Sequence, residues 1–509
     1  MIQLRAATWT FPDGTRVGPV DLDVAAGELV LLTGPTGCGK STVLRLAAGL
    51  LQRHGSGRAT GTVRVNDADP AALLAAGRVG TLGVVAQDPD DQIVAATCDA
   101  EVAFGLESAG WPPDAIDRRV AEVLGQVGLA GFNQRDPSTL SGGQRQRLVI
   151  GASIAAGARA LLLDEPLAQL DPAGAQDVLE LVRSLARSGI AVLLVEHRLE
   201  QAWAYADRVA LMAVGEVREA AVRDVRALDA LGLRGPALAD LTARIGPAPW
   251  RVSGAAPTAH ADAPGPTSGD THIRLTDVSA GYGGRRVLSP TTLRIGARER
   301  VALVGENGAG KSTLIRVIGG HLRATGTVAV GGRVVDVPQD PDLALFCETV
   351  ADELAYGPTE LGLPGAVVSA AASALSVTEL MDRAPQALSR GQRLRVAVAA
   401  ALTCRPDVLL LDEPTSGQDR EQVDRMFAGL DAQLGDAALV YACHDLDVVL
   451  RHATRVIVLH EGRVVADGRP LETLIGCHLP LPPLARVCAE LGVPYAAPEV
   501  LAAWLGRAP

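Results

Sequence analysis

"GPTGCGKST", residues 34–42, has the form Gly-x-x-x-x-Gly-Lys-Ser, and "GENGAGKST", residues 305–313, repeats it. Lys40 and Lys311 are the only lysines in a chain of 509 residues whose other 45 basic side chains are arginine. A position that keeps lysine against such a bias calls for a compact ammonium rather than a planar guanidinium fork. In a loop of this spacing the glycines let successive backbone N–H groups curve round a phosphate. The lysine then reaches the terminal phosphates, and the next hydroxyl, Ser41 or Ser312, meets a magnesium ion. Each loop follows a strand-like run ("GELVLLTG", "RERVALVG") and precedes a helix-like one ("STVLRLAAGL", "STLIRVIGG"). Strand, glycine loop and helix in that order are the context a phosphate loop requires.

Outward from the two loops, four further features recur in the same order. "VVAQDPDDQ" with Gln87 is echoed by "VPQDPD" with Gln339, "LSGGQRQR" from Leu140 by "LSRGQRLR" from Leu388, "LLLDEP" from Leu161 by "LLLDEP" from Leu409, and "LLVEH" ending at His197 by "VYACH" ending at His444. The signature serine lies 23 residues before the aspartate of DEP in both halves, and that aspartate lies 33 and 32 residues before the histidine. The chain is therefore a tandem duplication. We place the first domain at 1–235, a Pro/Ala/Gly-rich linker at 236–270, centred on "GPAPWRVSGAAPTAHADAPGPTSGD" (246–270), and the second domain at 271–509.

Within each copy the spacing assigns chemistry. Asp164 and Asp412 end apolar strands, where a carboxylate holds magnesium through water; Glu165 and Glu413 follow at once, placed to polarise an attacking water. His197 and His444 close the next strand and stand beside that glutamate. Cys38 lies inside the first loop near a helix N-terminus, a setting that lowers a thiol pKa. The seven cysteines show no CxxC pair and no zinc spacing, which suits reduced thiols. A formal net charge of -11 argues against broad binding to a phosphate backbone, so no nucleic acid is expected. The N-terminal sequence does not read as a signal peptide and no stretch reads as a membrane span, so a membrane role would come through a partner.

Each half resembles the nucleotide-binding domain of an ABC ATPase, with "LSGGQ" the most specific element, and the resemblance covers nearly all of the chain except the linker. It implies an α/β fold of two P-loop NTPase domains, each a RecA-like core with an antiparallel β-subdomain and a helical subdomain. It also implies a Mg-dependent ATPase whose two domains stack head to tail within one chain, so that each ATP lies between one loop and the other domain's signature. On this resemblance ATP would be held by Gly34, Pro35, Thr36, Gly37, Cys38, Gly39, Lys40, Ser41 and Thr42 with Ser389, Gly391 and Gln392. The second ATP would be held by Gly305, Glu306, Asn307, Gly308, Ala309, Gly310, Lys311, Ser312 and Thr313 with Ser141, Gly142, Gly143 and Gln144. Phe11 and Tyr282, each 23 residues before the first loop glycine, would stack on adenine. Ser41, Gln87 and Asp164, and Ser312, Gln339 and Asp412, would hold magnesium, with Glu165, His197, Glu413 and His444 catalytic. Asp171 and Asp419 match the loop that crosses the domain interface.

Two departures stand out. Lys40 to Gln87 spans 47 residues but Lys311 to Gln339 only 28, which predicts a second copy that has lost much of its small β-subdomain. The second signature carries Arg390 where glycine is usual. "QDPDDQIVAATCDAEVAFGLE" (87–107), "QDPDLALFCETVADELAYG" (339–357), "VEHRLE" and the tail "LPLPPLARVCAELGVP" resemble ATPases of energy-coupling factor transporters, importers of vitamins and metal ions. That implies a protein on the cytoplasmic face of the cell membrane, energising a transmembrane coupling protein and a substrate-binding subunit. The acidic QDPD turns would face basic elements of that partner. Another ABC importer ATPase, and a soluble ABC ATPase acting on ribosome or DNA, stay open as alternatives.

Overall fold

The computed structural model describes residues 1–35, 37–54, 56–75, 80–168, 170–196, 199–213, 216–220, 236–245, 271–415, 418–477, 479 and 481–505. Its contacts divide the chain into two units, Met1–Ala243 and Arg244–Pro509.

In the N-terminal unit, β1 (Ile2–Thr10), β2 (Arg16–Val24) and β4 (Arg58–Val65) form an antiparallel sheet in the order β2-β1-β4. The second sheet has the order β5-β6-β7-β3-β8-β9, from β3 (Leu29–Thr33), β5 (Leu82–Val85), β6 (Ala160–Asp164), β7 (Ala191–Val195), β8 (Arg208–Ala213) and β9 (Glu216–Ala220). All neighbours are parallel except β8 and β9. Strands covered on both faces read as continuous apolar runs, which is why "LVLLT", "ALLLD" and "AVLLV" show no polar alternation. Their side chains still divide by parity. Leu29, Leu31, Leu161, Leu163, Val192 and Leu194 pack towards the helices 98–108, 113–126, 142–154 and 172–187. Val30, Leu32, Leu162, Leu193 and Val195 pack with the antiparallel sheet and the helix Lys40–Ala47.

The C-terminal unit repeats the plan. Strands β10 (Thr271–Tyr282), β11 (Arg285–Gly296) and β13 (Ala324–Val330) are ordered β11-β10-β13. The parallel core is β14-β15-β16-β12-β17-β18, from β12 (Arg300–Val304), β14 (Val334–Val337), β15 (Val408–Asp412), β16 (Ala438–Ala442), β17 (Arg455–His460) and β18 (Arg463–Gly468), with β18 antiparallel to β17. After β18 come three helices, Pro470–Gly476, Pro483–Glu490 and Pro498–Trp504.

Two sequence expectations are adjusted. The second copy has not lost its β-subdomain, because all three antiparallel strands are present and β10 and β11 are longer than β1 and β2. The shorter spacing instead lacks counterparts of the helices Leu50–His54 and Pro70–Ala75, which flank β4 in the first copy. Residues Ala237–Ile245, which composition places in the linker, form a helix with Ala237 and Leu241 buried. The stretch 246–270 lies outside the described residues. No disulfide links any of the seven cysteines.

Candidate functional site

In each unit the conserved-looking spacings converge on the C-terminal ends of the parallel strands, the edge where open α/β sheets bind ligands. Strand β3 sits between β7 and β8 and runs directly into the glycine loop; β12 does the same between β16 and β17. Gly34 is pressed against the backbone of β8: a Cβ there would meet the Met212 carbonyl at 2.1 Å, and at Gly305 the Leu459 carbonyl at 2.2 Å. Gly39 and Gly310 cap the loop helices in the left-handed region, φ 105° and 103°, where a side chain is strained. By contrast, a Cβ on Gly37 or Gly308 would project into open space.

Lys40 and Lys311 are buried, and their ammonium groups fold back over the loop. Nζ of Lys40 donates to the carbonyls of Gly34 (2.8 Å) and Pro35 (3.0 Å), and Nζ of Lys311 to those of Gly305 (2.8 Å) and Glu306 (3.0 Å). The half-buried Cys38 thiol is 4.0 Å from the Lys40 ammonium. Thr36 lies outside the described residues.

The hydroxyl after each lysine meets the strand-end aspartate: Ser41 Oγ donates to Asp164 Oδ1 at 3.0 Å and Ser312 Oγ to Asp412 Oδ1 at 3.1 Å. A hydroxyl and a carboxylate this close, beside a phosphate loop, form the oxygen donor set a magnesium ion takes when phosphates complete its shell. Burial, and then Glu413 beside it, raise the Asp412 carboxyl above its ordinary range, against the opposing hydrogen bond from Ser312. A bound cation would relieve that unfavourable burial, so the residues fit the ion.

Glu165 and Glu413 both take positive φ, 48° and 55°, rare for a non-glycine residue and a mark of a functional position. Each is anchored by its backbone N–H to the neighbouring strand, at Val195 and Ala442. Gln87 Nε2 donates to Glu165 Oε2 at 3.0 Å, and His444 Nε2 lies 2.9 Å from Glu413 Oε1. Nδ1 of His444 is buried without a hydrogen-bond partner among the described residues. Gln339 is exposed on its turn, and His197 lies outside the described residues.

The signature residues start helices. Ser141 and Ser389 each make a capping box, their hydroxyls accepting from the N–H of Gln144 and Gln392 while those side chains accept from the serine N–H. Gly142 and Gly143 open the helix 142–154, with Gly143 packed where a Cβ would lie 3.2 Å from Gly174; Arg390 and Gly391 open the helix 390–403. Asp171 and Asp419 cap the next long helices through Gly174 N–H (2.7 Å) and Gln422 N–H (2.8 Å). Phe11 sits in the β1–β2 hairpin, edge-on to Trp9; Tyr282 ends β10 with its ring exposed and its hydroxyl accepting from Arg316 Nη1 at 3.2 Å.

Two features escaped the sequence reading although they recur. Buried Glu101 and Glu353, each 14 residues after the turn glutamine, accept from two consecutive backbone N–H groups, those of Val94 and Ala95 and of Phe346 and Cys347. Arg145 pairs with Asp90 at 3.0 Å and Arg393 with Asp342 at 2.7 Å, tying each QDPD turn to the helix that begins with the signature. Asp90, expected to face a partner, is thus engaged within its own unit.

The ABC transporter family model matches residues 17–168 and 288–416, a little over half of the chain. A protein of Methanosarcina mazei provisionally named an ABC transporter ATP-binding protein is 34% identical, the match covering 97% of this chain and 94% of that one. A Streptomyces avermitilis protein of the same provisional name is 37% identical over 92% and 94%. Among solved structures, ribosome-bound archaeal Pelota and ABCE1 gives a TM-score of 0.67 at 23% identity, covering 93% of this chain and 80% of that one, a likeness of fold.

Proposed function

Because the chain belongs to the family of ABC transporter ATP-binding proteins, and is thus an ATPase with two nucleotide-binding domains, we propose that it energises an importer of the energy-coupling factor type through separate membrane-spanning subunits. No helix among the described residues is long and apolar enough to cross a membrane. The observation that carries the reading is a pair of matched surfaces. Residues 87–107 and 339–361 each contain six carboxylates and no lysine or arginine. They also expose Val94 and Phe104 in one copy and Leu343, Phe346, Tyr356 and Leu361 in the other. Exposed apolar side chains rimmed by charge of one sign suit a partner helix that is apolar and basic. With Asp90 and Asp342 already paired to arginine, the exposed acids left to meet it are Asp91 and Glu107, and Asp340, Glu348, Asp352 and Glu360.

In this reading Lys40 and Lys311 bind the terminal phosphates of two ATP molecules, with Phe11 and the Arg316-steadied Tyr282 under the adenines. Ser41 with Asp164 and Gln87, and Ser312 with Asp412 and Gln339, hold magnesium, which supplies a Lewis acid that neutralises charge on the transferring phosphoryl group. Glu165 and Glu413 accept a proton from the attacking water, and His444, with His197 in the same role, steadies the glutamate. The halves close head to tail, so that Ser389, Gly391 and Gln392 complete the first site and Ser141, Gly142, Gly143 and Gln144 the second. The protein would work at the cytoplasmic face of the membrane.

The test is purification of the tagged chain in mild detergent. A stoichiometric integral-membrane partner that stimulates ATP hydrolysis, and is lost from a Phe346→Asp/Tyr356→Asp variant with intact basal turnover, is the expected result. Sedimentation with ribosomes and no membrane partner would overturn it in favour of a soluble ATPase.

A further inference from the structure

Three elements of the C-terminal unit meet on one buried carboxylate that no motif marks. Asp447 is 3% exposed and lies three residues beyond His444, in the helix Leu446–His452. Its Oδ2 accepts from Nε of Arg451 at 3.0 Å and lies 3.4 Å from Nη2 of Arg420. Its Oδ1 accepts from the hydroxyl of Tyr495, itself 8% exposed. Arg420 is the first residue of the helix capped by Asp419, and Tyr495 belongs to the C-terminal segment between the helices Pro483–Glu490 and Pro498–Trp504. Around this centre Arg451 also pairs with Asp424, which accepts from His452 at 2.9 Å, and the His452 ring stacks on Phe427 at 4.4 Å.

The backbone makes this cluster relevant to His444. Asp445 caps the short helix by accepting from the N–H groups of Asp447 (2.9 Å) and Val448 (3.3 Å), so the turn that presents His444 is built on the residue that Arg420 and Tyr495 hold. Burial is the main reason the Tyr495 hydroxyl titrates well above its ordinary value, with Asp447 adding to it, so the hydroxyl remains a donor. Aligned on Asp171 and His197, the first copy carries Pro172 in place of Arg420 and a longer carboxylate, Glu200, in place of Asp447.

We propose that Asp447 is a positioning residue of the second ATPase site, and that the C-terminal segment is part of that site through Tyr495. The tie fixes the His444 turn and the start of the Asp419 helix against one another, keeping His444 on Glu413. This rests on the reading of Glu413 and His444 as catalytic given above. Arg420 and Arg451 pair with Asp447 and Asp424, and Asp445 adds a third carboxylate beside them, so removing the Asp447 charge leaves two largely buried guanidinium groups with one acceptor fewer. Losing only the Tyr495 hydroxyl is milder and shifts geometry more than stability.

The experiment compares Tyr495→Phe, Asp447→Asn and His444→Ala with the parent full-length chain, measuring kcat and KM for ATP well below the unfolding midpoint. A second arm traps a radiolabelled photoreactive azido-ATP with vanadate, crosslinks it with ultraviolet light and cleaves at a protease site engineered within 246–270, so that label is counted on each half. Tyr495→Phe is expected to lower kcat by about tenfold, the scale of a sub-ångström misplacement, with KM nearly unchanged. Label should be lost selectively from the C-terminal half, and Asp447→Asn should act in the same direction. Wild-type kcat and equal labelling in both variants would overturn the proposal, as would equal loss from both halves or an effect that vanishes once a lowered midpoint is allowed for. If His444→Ala also turns over normally, the catalytic reading itself fails; if it is inactive while Tyr495→Phe is normal, only the positioning role fails.

Discussion

Asp412→Asn separates stability from catalysis in a single substitution. In the ligand-free protein Asp412 is a 7% exposed carboxylate at the end of β15, next to Glu413 in sequence, and burial raises its pKa. A carboxyl with a raised folded-state pKa binds protons more tightly in the native chain than in the unfolded one. Its contribution therefore favours folding at low pH and is lost as pH rises through the folded-state pKa, leaving a penalty at neutral pH. Asparagine has the same shape, still accepts from Ser312 Oγ, and carries no charge. We expect Asp412→Asn to stabilise the ligand-free C-terminal unit by about 1 kcal/mol at pH 7, a typical active-site trade-off, which raises its midpoint by roughly 2–4 °C. The same change removes a magnesium ligand. Saturating Mg-ATP at about 100 times Kd stabilises the parent by about 2.7 kcal/mol, and the variant should lose most of that gain and fall in turnover by about a hundredfold or more. Differential scanning fluorimetry with and without Mg-ATP, repeated between pH 5.5 and 8, tests both halves of the expectation. The ligand-free advantage of the variant should shrink as pH falls. A ligand-free midpoint below the parent at every pH, or a full Mg-ATP shift in the variant, would refute the assignment of Asp412 to a buried cation site.

Lys40→Ala and Lys311→Ala are each expected to cut steady-state ATP hydrolysis by about a hundredfold, and Lys→Arg to fail as well, because a guanidinium cannot bond to two loop carbonyls and the phosphates as the ammonium does; wild-type turnover in the double mutant would remove the phosphate-loop reading. A maleimide should inhibit by modifying Cys38, 4.0 Å from the Lys40 ammonium, with Mg-ATP protecting and Cys38→Ala resistant; equal inhibition of Cys38→Ala would place the reactive thiol elsewhere. Charge reversal at Asp91 with Glu107 should weaken assembly with the membrane partner while basal hydrolysis stays within about twofold, as read by co-elution. Arg145→Ala, which frees Asp90 from the signature helix, should lower the ATPase stimulation given by a bound partner by about three- to tenfold while partner binding persists, as read by stimulated over basal kcat.

The candidate site was legible because its residues are dictated by local rules at fixed spacing. A glycine loop after a buried strand must put lysine at a helix start, and an apolar strand ending in Asp-Glu must deliver both carboxylates to the sheet's C-terminal edge. The structure brings Ser41 to Asp164, Ser312 to Asp412, and His444 to Glu413, pairs separated by 123, 100 and 31 residues. What sequence hid is of two kinds. Spacing counts residues without saying which element they belonged to, so the shorter second copy read as a diminished sheet when it lacks flanking helices instead. Long-range polar pairs such as Asp90 with Arg145, or Tyr495 with Asp447, carry no periodic signal, since a surface acid and a buried acid look alike until the fold places the arginine. Glu101 and Glu353 lie between these cases: each is a buried carboxylate that accepts from two consecutive backbone N–H groups, and its recurrence at one spacing was available to be noticed.

The two copies diverge in support more than in chemistry, and the pattern of divergence has a direction. Lysine, serine, aspartate, glutamate and histidine are kept at both sites, and the lysine, serine and aspartate make matching contacts in each, while Arg420, Asp447 and Tyr495 gather beside the second. Glu165 accepts from Gln87, on the turn whose flank bears one of the two proposed partner surfaces. Glu413 is tied to His444, whose turn is braced from within by Asp447, Arg420 and Tyr495. A glutamate held by a turn that a partner grips can be repositioned when the partner moves, whereas one held by a buried ion cluster changes only if the cluster breaks. On that physical ground the second site is the one suited to keep a fixed geometry. Duplication within one chain permits this division, since each half can specialise its supports without a second gene product diluting the pairing.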